Sequence, residues 1–271
     1  MKKIDKFLVV VEEEGLVKGI SEVMRYVLKK AGILGILNSW RINSLEDTKN
    51  LWEKNHERAG FTVCGGTIDI ETIDTYLNPD KELNERIRKH LDPEKKNIRI
   101  LDVGSGPVTK LGYNWGNRDI EIEAVDVNAD NYIEKLKEHN RSPGDLFTLK
   151  QGKAEELSEL YEEKVFDVIW SSNAIDHGYN AMKAIEEMSK LVKPGCFILL
   201  KHFRNEGKEQ GYSSGHLWNF DCVDGKVIIS NPSKEYVVNE ELGKNYEVSC
   251  DPYTAENGKE SLFIKIKKLS D

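Results

Sequence analysis

An acid and two glycines follow an apolar run in the segment ILDVGSGPVTKLG, residues 100–112. Gly104 and Gly106 predict a tight turn from this strand into a helix, where the backbone can approach a ligand closely, as nucleotide-binding turns do. Asp102 lies two residues before the first glycine, where a carboxylate would repel a pyrophosphate. The segment therefore predicts a ligand that presents a positive charge or hydrogen-bond donors.

A second acid ends the next predicted strand, in EAVDVN. Asp126 follows Gly104 by about 22 residues, the spacing of a carboxylate that accepts hydrogen bonds from ribose hydroxyls. The alternatives are a tight turn without a ligand and an acid that caps a helix or lies on the surface. Thr109 occupies the position of the third glycine in a dinucleotide-binding GxGxxG, which disfavours hydride transfer with a nicotinamide cofactor.

Three histidines at or after predicted strand ends are candidate proton acceptors, which a hydroxyl nucleophile would require near neutral pH. His177 follows the fourth predicted strand, His202 ends the fifth, and His216 lies in the irregular stretch beyond it. We predict His177 first and His202 second as catalytic bases, with a histidine that only shapes the pocket as the alternative. Asp176 is placed to orient one of them. The sequence shows no metal-ligand cluster strong enough to predict a metal site.

The elements that must position these residues begin at Ile98, where strands and helices start to alternate. We predict a doubly wound, mostly parallel seven-stranded sheet that binds its ligand at the carboxyl ends of the strands. The helix AMKAIEEMSKLVKPG is predicted to end at Pro194–Gly195, and Asp224–Gly225 predicts a hairpin. The predicted strands are IRILDV, IEIEAVDV, LFTLKQG, KVFDVIWSS and CFILLKHF, with NYEVSC and SLFIKIKKL as a closing pair.

Residues 1–92 are predicted to form an N-terminal helical extension, and residues 93–271 the ligand-binding domain. DKELNERIRKHL and the earlier segment ISEVMRYVLKKAGIL have apolar residues at helical spacing, and SLEDTKNLWEKNHERAG between them begins with a helix-start signal. The Gly65–Gly66 pair is suited to act as a hinge through which this extension closes as a lid over a bound ligand, with packing or dimerisation as the alternative. Trp218 and Phe220 offer aromatic rings to an acceptor, or to the core of the following hairpin.

These motifs resemble class I S-adenosylmethionine-dependent methyltransferases over about two-thirds of the chain, from Ile98 to the C-terminus. The resemblance implies a Rossmann-like fold, S-adenosyl-L-methionine as cofactor and S-adenosyl-L-homocysteine as product. Val108 replaces a third glycine that many members carry. The residues that the resemblance and the predicted strand ends assign to cofactor binding are Asp102, Gly104, Ser105, Gly106, Asp126, Val127, Ala154, Glu155, Ser171 and Asn173.

The net charge of the chain indicates which classes of substrate it binds. The chain has 39 basic and 47 acidic residues, a net charge of -8, which disfavours a nucleic-acid substrate. We predict methyl transfer to a small molecule, on oxygen in preference to nitrogen, such as a saccharide or a secondary metabolite. A protein methyltransferase and a non-catalytic S-adenosylmethionine-binding regulatory protein are the alternatives. The absence of an export signal and of a long apolar run predicts a cytoplasmic protein without a membrane partner. A homodimer is compatible with the sequence.

Overall fold

The computed structural model describes residues 61–63, 66–212 and 215–270, and a seven-stranded sheet forms its centre. The strands are β3 (Asn97–Val103), β4 (Asp119–Asp126), β5 (Thr148–Gln151), β6 (Phe166–Ser172), β7 (Val192–Phe203), β11 (Tyr246–Thr254) and β12 (Glu260–Lys268). Their order across the sheet is β11-β12-β7-β6-β3-β4-β5, and only β12 within it runs antiparallel to its neighbours. The predicted mostly parallel, doubly wound sheet is confirmed.

A smaller antiparallel sheet and the helices cover the main sheet. The further strands are the hairpin β1 (Phe61–Val63) and β2 (Gly66–Ile68), and the three-stranded sheet of β8 (Asn219–Val223), β9 (Lys226–Asn231) and β10 (Lys234–Val237). The helices are α1 (Ile70–Tyr76), α2 (Glu85–Arg88), α3 (Ala129–Glu138), α4 (Ala181–Leu191), α5 (Glu206–Glu209) and α6 (Val238–Glu241). Short 3-10 turns cover Ala154–Glu159, Ile175–His177 and Gly243–Asn245. Asp224–Gly225 turns the β8–β9 hairpin, as predicted.

Strand β3 is buried on both faces because each face carries its own layer. Successive side chains of a strand point to opposite sides, so Ile98 and Ile100 pack on one face. Leu101 and Val103 pack on the other face, together with α4 and the small sheet. All four side chains are at most 1% exposed, which fixes the register of β3 and hence the position of the residues that follow it.

An irregular loop over residues 104–118 takes the place of the helix predicted after the glycine turn. Its backbone bonds to the segment 81–84: the Leu83 N–H, for example, donates to the Asn114 carbonyl at 2.8 Å. Because these amides pair across the two segments, neither segment is free to form a helix. The predicted helix DKELNERIRKHL is therefore reduced to the four residues of α2.

Helix α4 also ends earlier than predicted, at Leu191 instead of Pro194–Gly195. Val192 is extended and pairs with Phe166 at the start of β6. A proline disfavours helical geometry in the residue before it, so Pro194 prevents the helix from continuing through residue 193. Strand β7 consequently begins four residues before its predicted start.

The predicted N-terminal helices before residue 61, and Gly65 of the predicted hinge, lie outside the described residues. From Ile70 onward the chain packs on the main sheet. Ile73, Leu83 and Ile87 are fully buried in the same core as Ile98. Residues 70–91 thus share a core with the domain predicted to start at residue 93. No helix in the described part of the chain is long and apolar enough to span a membrane.

The packing of the 104–118 loop can be tested at Gly112, which has a φ of 83°. A Cβ at this position would lie 2.1 Å from the Glu82 carbonyl oxygen. In Gly112→Ala we expect the free energy of unfolding to fall by about 3 kcal/mol, from left-handed strain and lost loop hydrogen bonds. Gly116→Ala is the matched control, because its φ is 62° and its nearest neighbour atom is 3.6 Å away. Equal losses in urea denaturation of the two variants would contradict the packing argument.

Candidate active site

A cavity of about 490 Å³ opens at the carboxyl ends of β3 and β6. The chain leaves these neighbouring strands toward opposite sides of the sheet, toward β4 and β7, which opens a crevice between them. The volume is in the range of cofactor and small-molecule sites. The residues predicted from sequence that line it are Asp102, Gly104, Ser105, Gly106, Asp126, Val127, Ala154, Glu155, Asn173 and His177.

Gly104 brings the two walls of the cavity together. Its φ is 72°, and a Cβ there would lie 2.2 Å from the Cβ of Ala174, in the loop after β6. Its N–H donates to the Val125 carbonyl at the end of β4 at 2.7 Å. The first glycine of the motif is therefore required by contact between two protein loops, in addition to any approach of a ligand.

Two backbone amides fix the Asp126 carboxylate at the end of β4. The Gly106 N–H donates to Oδ2 and the Asn128 N–H to Oδ1, both at 2.9 Å. Burial raises the pKa of Asp126, and the two N–H donors oppose this rise. A carboxylate offers about four lone-pair sites, so two remain for further donors. The group is arranged to accept hydrogen bonds from two adjacent hydroxyls.

Asp102 and Lys110 bring opposite charges to the cavity wall. The Thr109 hydroxyl donates to Asp102 Oδ2 at 2.6 Å and fixes the carboxylate. Burial raises the pKa of Asp102 to about 7, although Thr109 and Lys110 oppose the rise. Burial lowers the pKa of Lys110, which Asp102 partly offsets. An acid and a base that line one cavity and interact electrostatically are complementary to a zwitterionic amino-acid group.

Two residues that were predicted to bind the cofactor form side-chain hydrogen bonds with other residues of the protein. Ser171 is fully buried outside the cavity wall, and its hydroxyl donates to the Val103 carbonyl at 2.8 Å, which joins β6 to β3. Glu155 lines the cavity, but its Oε1 accepts the Asn180 N–H at 3.0 Å. The placement of Ser171 corrects its predicted contact with the ligand.

His177 contributes to the cavity wall, but its ring nitrogens face the protein. Nδ1 lies 2.8 Å from the Gly215 carbonyl oxygen. Nε2 is buried and lies 3.5 Å from Asp176 Oδ2. A general base must reach the proton that it removes. This geometry therefore does not present His177 to an acceptor as the predicted base.

His202 lies behind the cavity instead of beside it. Its ring stacks on Phe220, with centroids 3.9 Å apart, and Nδ1 is 3.4 Å from Asp176 Oδ1. It is 1% exposed and does not line the cavity, so the structure corrects its predicted catalytic position. Trp218 and Phe220 are likewise buried in the core with the small sheet, which is the packing alternative considered for them.

Asp176 is the centre of a buried cluster that includes all three candidate histidines. His216 Nδ1 lies 2.8 Å from Asp176 Oδ2, and the rings of His177 and His216 are 4.5 Å apart. Burial alone would raise the pKa of Asp176, but the surrounding imidazoles hold that pKa well below its usual range. Asp176, His177 and His216 have ligand atoms within 4.8 Å of one another, a grouping that the sequence spacing did not predict.

Several cavity residues were missed in the sequence. Lys201 lies near the end of strand β7, where a lysine directly after an apolar run is a usable signal for a site. Lys110 stands in the loop that was predicted as a helix. The other missed lining residues with polar or aromatic side chains are Tyr76, Asn84, Asn128, Tyr132, Lys153, Trp170, Ser172 and Tyr179.

Comparison with known proteins gives a match to a family model described as a methyltransferase domain, over residues 94–248. A sarcosine/dimethylglycine N-methyltransferase of Aphanothece halophytica is 27% identical over 144 residues, 50% of this chain and 50% of that protein. A dimethylglycine N-methyltransferase of Parasynechococcus marenigrum (strain WH8102) is 26% identical, covering 69% of this chain and 67% of that protein.

A third relative, a chloroplastic tocopherol O-methyltransferase of Arabidopsis thaliana, is 21% identical. That match covers 66% of this chain and 53% of the relative. The chain thus spans about half the length of two of these three proteins. Their names divide between nitrogen and oxygen as the methylated atom.

The burial of Asp102 predicts a pH-dependent cost to stability. Its folded-state pKa of about 7 lies above the ordinary value of 3.8, so the folded state binds this proton more tightly than the unfolded state. Stability contributed by the proton is present below pH 3.8 and is lost as pH rises to about 7. Asp102→Asn removes the charge and keeps an oxygen for Thr109.

We expect the stability of Asp102→Asn relative to the parent protein to increase from pH 4 to pH 7 and then to level off, in urea denaturation. Asp119→Asn, at the exposed start of β4, serves as the control and should follow the parent protein. A difference between Asp102→Asn and the parent that does not change with pH would contradict the assignment.

Proposed function

The chain belongs to the methyltransferase-domain family, as the motif around Gly104 predicted, and we propose that it transfers the methyl group of S-adenosylmethionine to a small-molecule amine. The observation that carries the proposal is the placement of Asp102 and Asp126 in one cavity, each fixed by its own donors. One carboxylate lies beside Lys110 and the other accepts two backbone amides, so they suit different ends of one ligand.

The residues present fit this cofactor. Asp126 would hold the ribose hydroxyls with its two remaining lone-pair sites, and Val127 and Ala154 offer apolar surface for the adenine. Asp102 and Lys110 would pair with the ammonium and carboxylate of the methionine part. When bound, the cofactor supplies an activated methyl group. The work of the protein is then to orient the acceptor and to exclude water.

We propose nitrogen as the methylated atom, in place of the oxygen predicted from sequence. A hydroxyl acceptor needs a proton acceptor in contact with it, whereas an amine can enter with its lone pair free. Among the described residues, His177 is the histidine in the cavity wall, and its ring nitrogens lie against Gly215 and Asp176. The names of two of the three relatives agree with an amine acceptor.

Lys201 supports an acceptor that also carries an anionic group. It lines the same cavity as Lys110, and its positive charge contributes to the lowered pKa of Lys110. With Lys110 paired to the cofactor, the charge of Lys201 is left to attract the acceptor. A small amine with a carboxylate or phosphate would match a cavity with this charge.

Cofactor binding can be tested by calorimetry with S-adenosylmethionine and S-adenosylhomocysteine. We expect Asp126→Asn to weaken binding by about 10- to 100-fold, because it loses charge-assisted bonds to the ribose. Asp119→Asn removes a carboxylate from the exposed end of the same strand and should bind as the parent does. Binding of NADH instead, or equal affinity of Asp126→Asn, would contradict the cofactor site.

The acceptor can be tested with methyl-labelled S-adenosylmethionine and matched pairs of acceptors, such as sarcosine and glycolate. We expect label on the nitrogen of amine acids and none on hydroxy acids. Lys201→Met should raise the acceptor KM about 10-fold while it leaves the cofactor Kd unchanged. Transfer only to hydroxyl acceptors would overturn the nitrogen assignment. Binding without transfer to any acceptor would favour a regulatory protein.

A further inference from the structure

We propose that Asp176, His177 and His216 form a binding site for a divalent transition-metal ion behind the wall of the cavity. The ligand atoms of these residues lie within 4.8 Å of one another. Asp176 and His177 are at most 4% exposed, and the side chain of His216 is 14% exposed. Ligand atoms this close to one another can bind one ion together.

The hydrogen bond of His177 decides which nitrogen would bind the ion. The Gly215 carbonyl is an acceptor only, so the His177 Nδ1 at 2.8 Å must carry the proton and donate. In the neutral ring, Nε2 then carries a lone pair, and it faces the carboxylate of Asp176. A metal ion between these two atoms would be bound by both of them. Metal-binding histidines commonly donate their second nitrogen to a backbone carbonyl in this way.

The separation of His177 Nε2 and Asp176 Oδ2 matches a shared metal ion better than a shared proton. Nε2 of His177 and Oδ2 of Asp176 are 3.5 Å apart. Charge-assisted N–H···O bonds are about 2.7–2.9 Å long, so this pair is too widely spaced for one. Two ligands at about 2.0–2.1 Å from a tetrahedral ion are roughly 3.4 Å apart. His216 Nδ1 donates to Asp176 Oδ2 at 2.8 Å, so an ion bound here would displace that proton to solvent, and the two atoms would separate by about half an ångström.

The surroundings hold the carboxylate and its turn in place. The N–H groups of Leu217 and Trp218 both donate to the Asp176 backbone carbonyl, at 2.9 and 3.0 Å. His202 Nδ1 lies 3.4 Å from the second carboxylate oxygen of Asp176. These contacts join the turn Ile175–His177 to the segment that carries His216. The ligands therefore come from two segments that the backbone already binds together.

The donor set indicates the class of ion. Two imidazoles and one carboxylate suit Zn²⁺ and related first-row ions, whereas Mg²⁺ and Ca²⁺ prefer all-oxygen ligands. Three protein ligands leave a coordination position for water or a ligand molecule. An ion held here would lock His177 in the cavity wall. This inference does not depend on the proposed methyl transfer, because the ion binds to groups outside the cofactor cradle.

The test is calorimetry of the untagged full chain with Zn²⁺ alone. We expect one ion per chain, and a Kd more than about 100-fold higher in His216→Gln. His139→Gln removes an exposed histidine at the end of α3 and should bind as the parent does. Circular dichroism of each variant separates loss of a ligand from loss of the fold. Absence of binding to the folded parent, or unchanged binding in His216→Gln, would overturn the proposal.

Co²⁺ provides a second, spectroscopic measurement. With nitrogen and oxygen ligands, it should show visible d–d bands that disappear in His216→Gln and in Asp176→Asn. A cobalt–thiolate charge-transfer band would instead locate the ion on cysteines such as Cys222 and would overturn the assignment. Since neither measurement involves S-adenosylmethionine, failure of this site and failure of the cofactor assignment are distinguishable.

Discussion

The contact between Gly104 and Ala174 is the constraint on which the site depends. These residues follow the neighbouring strands β3 and β6, whose chains then leave in opposite directions, and a single methyl group at Gly104 would force them apart. Because the loops touch, the residues after each strand line one cavity. The Ser171 hydroxyl, bonded to the Val103 carbonyl, holds the same two strands together one step earlier. The positions of the polar side chains in the cavity therefore depend on the close contact between these two loops.

The two sides of that junction carry different electrostatics. On the side of β3 and β4, buried carboxylates are held by backbone amides and by a hydroxyl, which keeps them available for a ligand. On the side of β6, Asp176 is surrounded by imidazoles and turned from the cavity. Two adjacent residues of β7 contribute to the two sides: Lys201 lines the cavity, and His202 lies against Asp176.

The parts of the molecule that follow from local chemistry could be predicted from sequence. Asp126 was predictable because the end of a strand and a spacing from the glycines are local properties. The helix expected after Gly106 was not, because its absence depends on hydrogen bonds to residues 81–84, which the sequence does not reveal. The orientation of His202 was also hidden. A strand that is buried on both faces has no alternation of polar and apolar residues. Its sequence therefore does not show which of two adjacent side chains, Lys201 or His202, points toward the cavity.

The position of β12 has a consequence for synthesis on the ribosome. β12 lies between β7 and β11, although it is made after both, and β11 joins the sheet only through β12. Until residues 260–268 have emerged, the outer edge of β7 lacks its partner and β11 has no place in the sheet. From the emergence of β7 until β12 has been made, the nascent chain therefore carries an open strand edge beside Lys201 and His202.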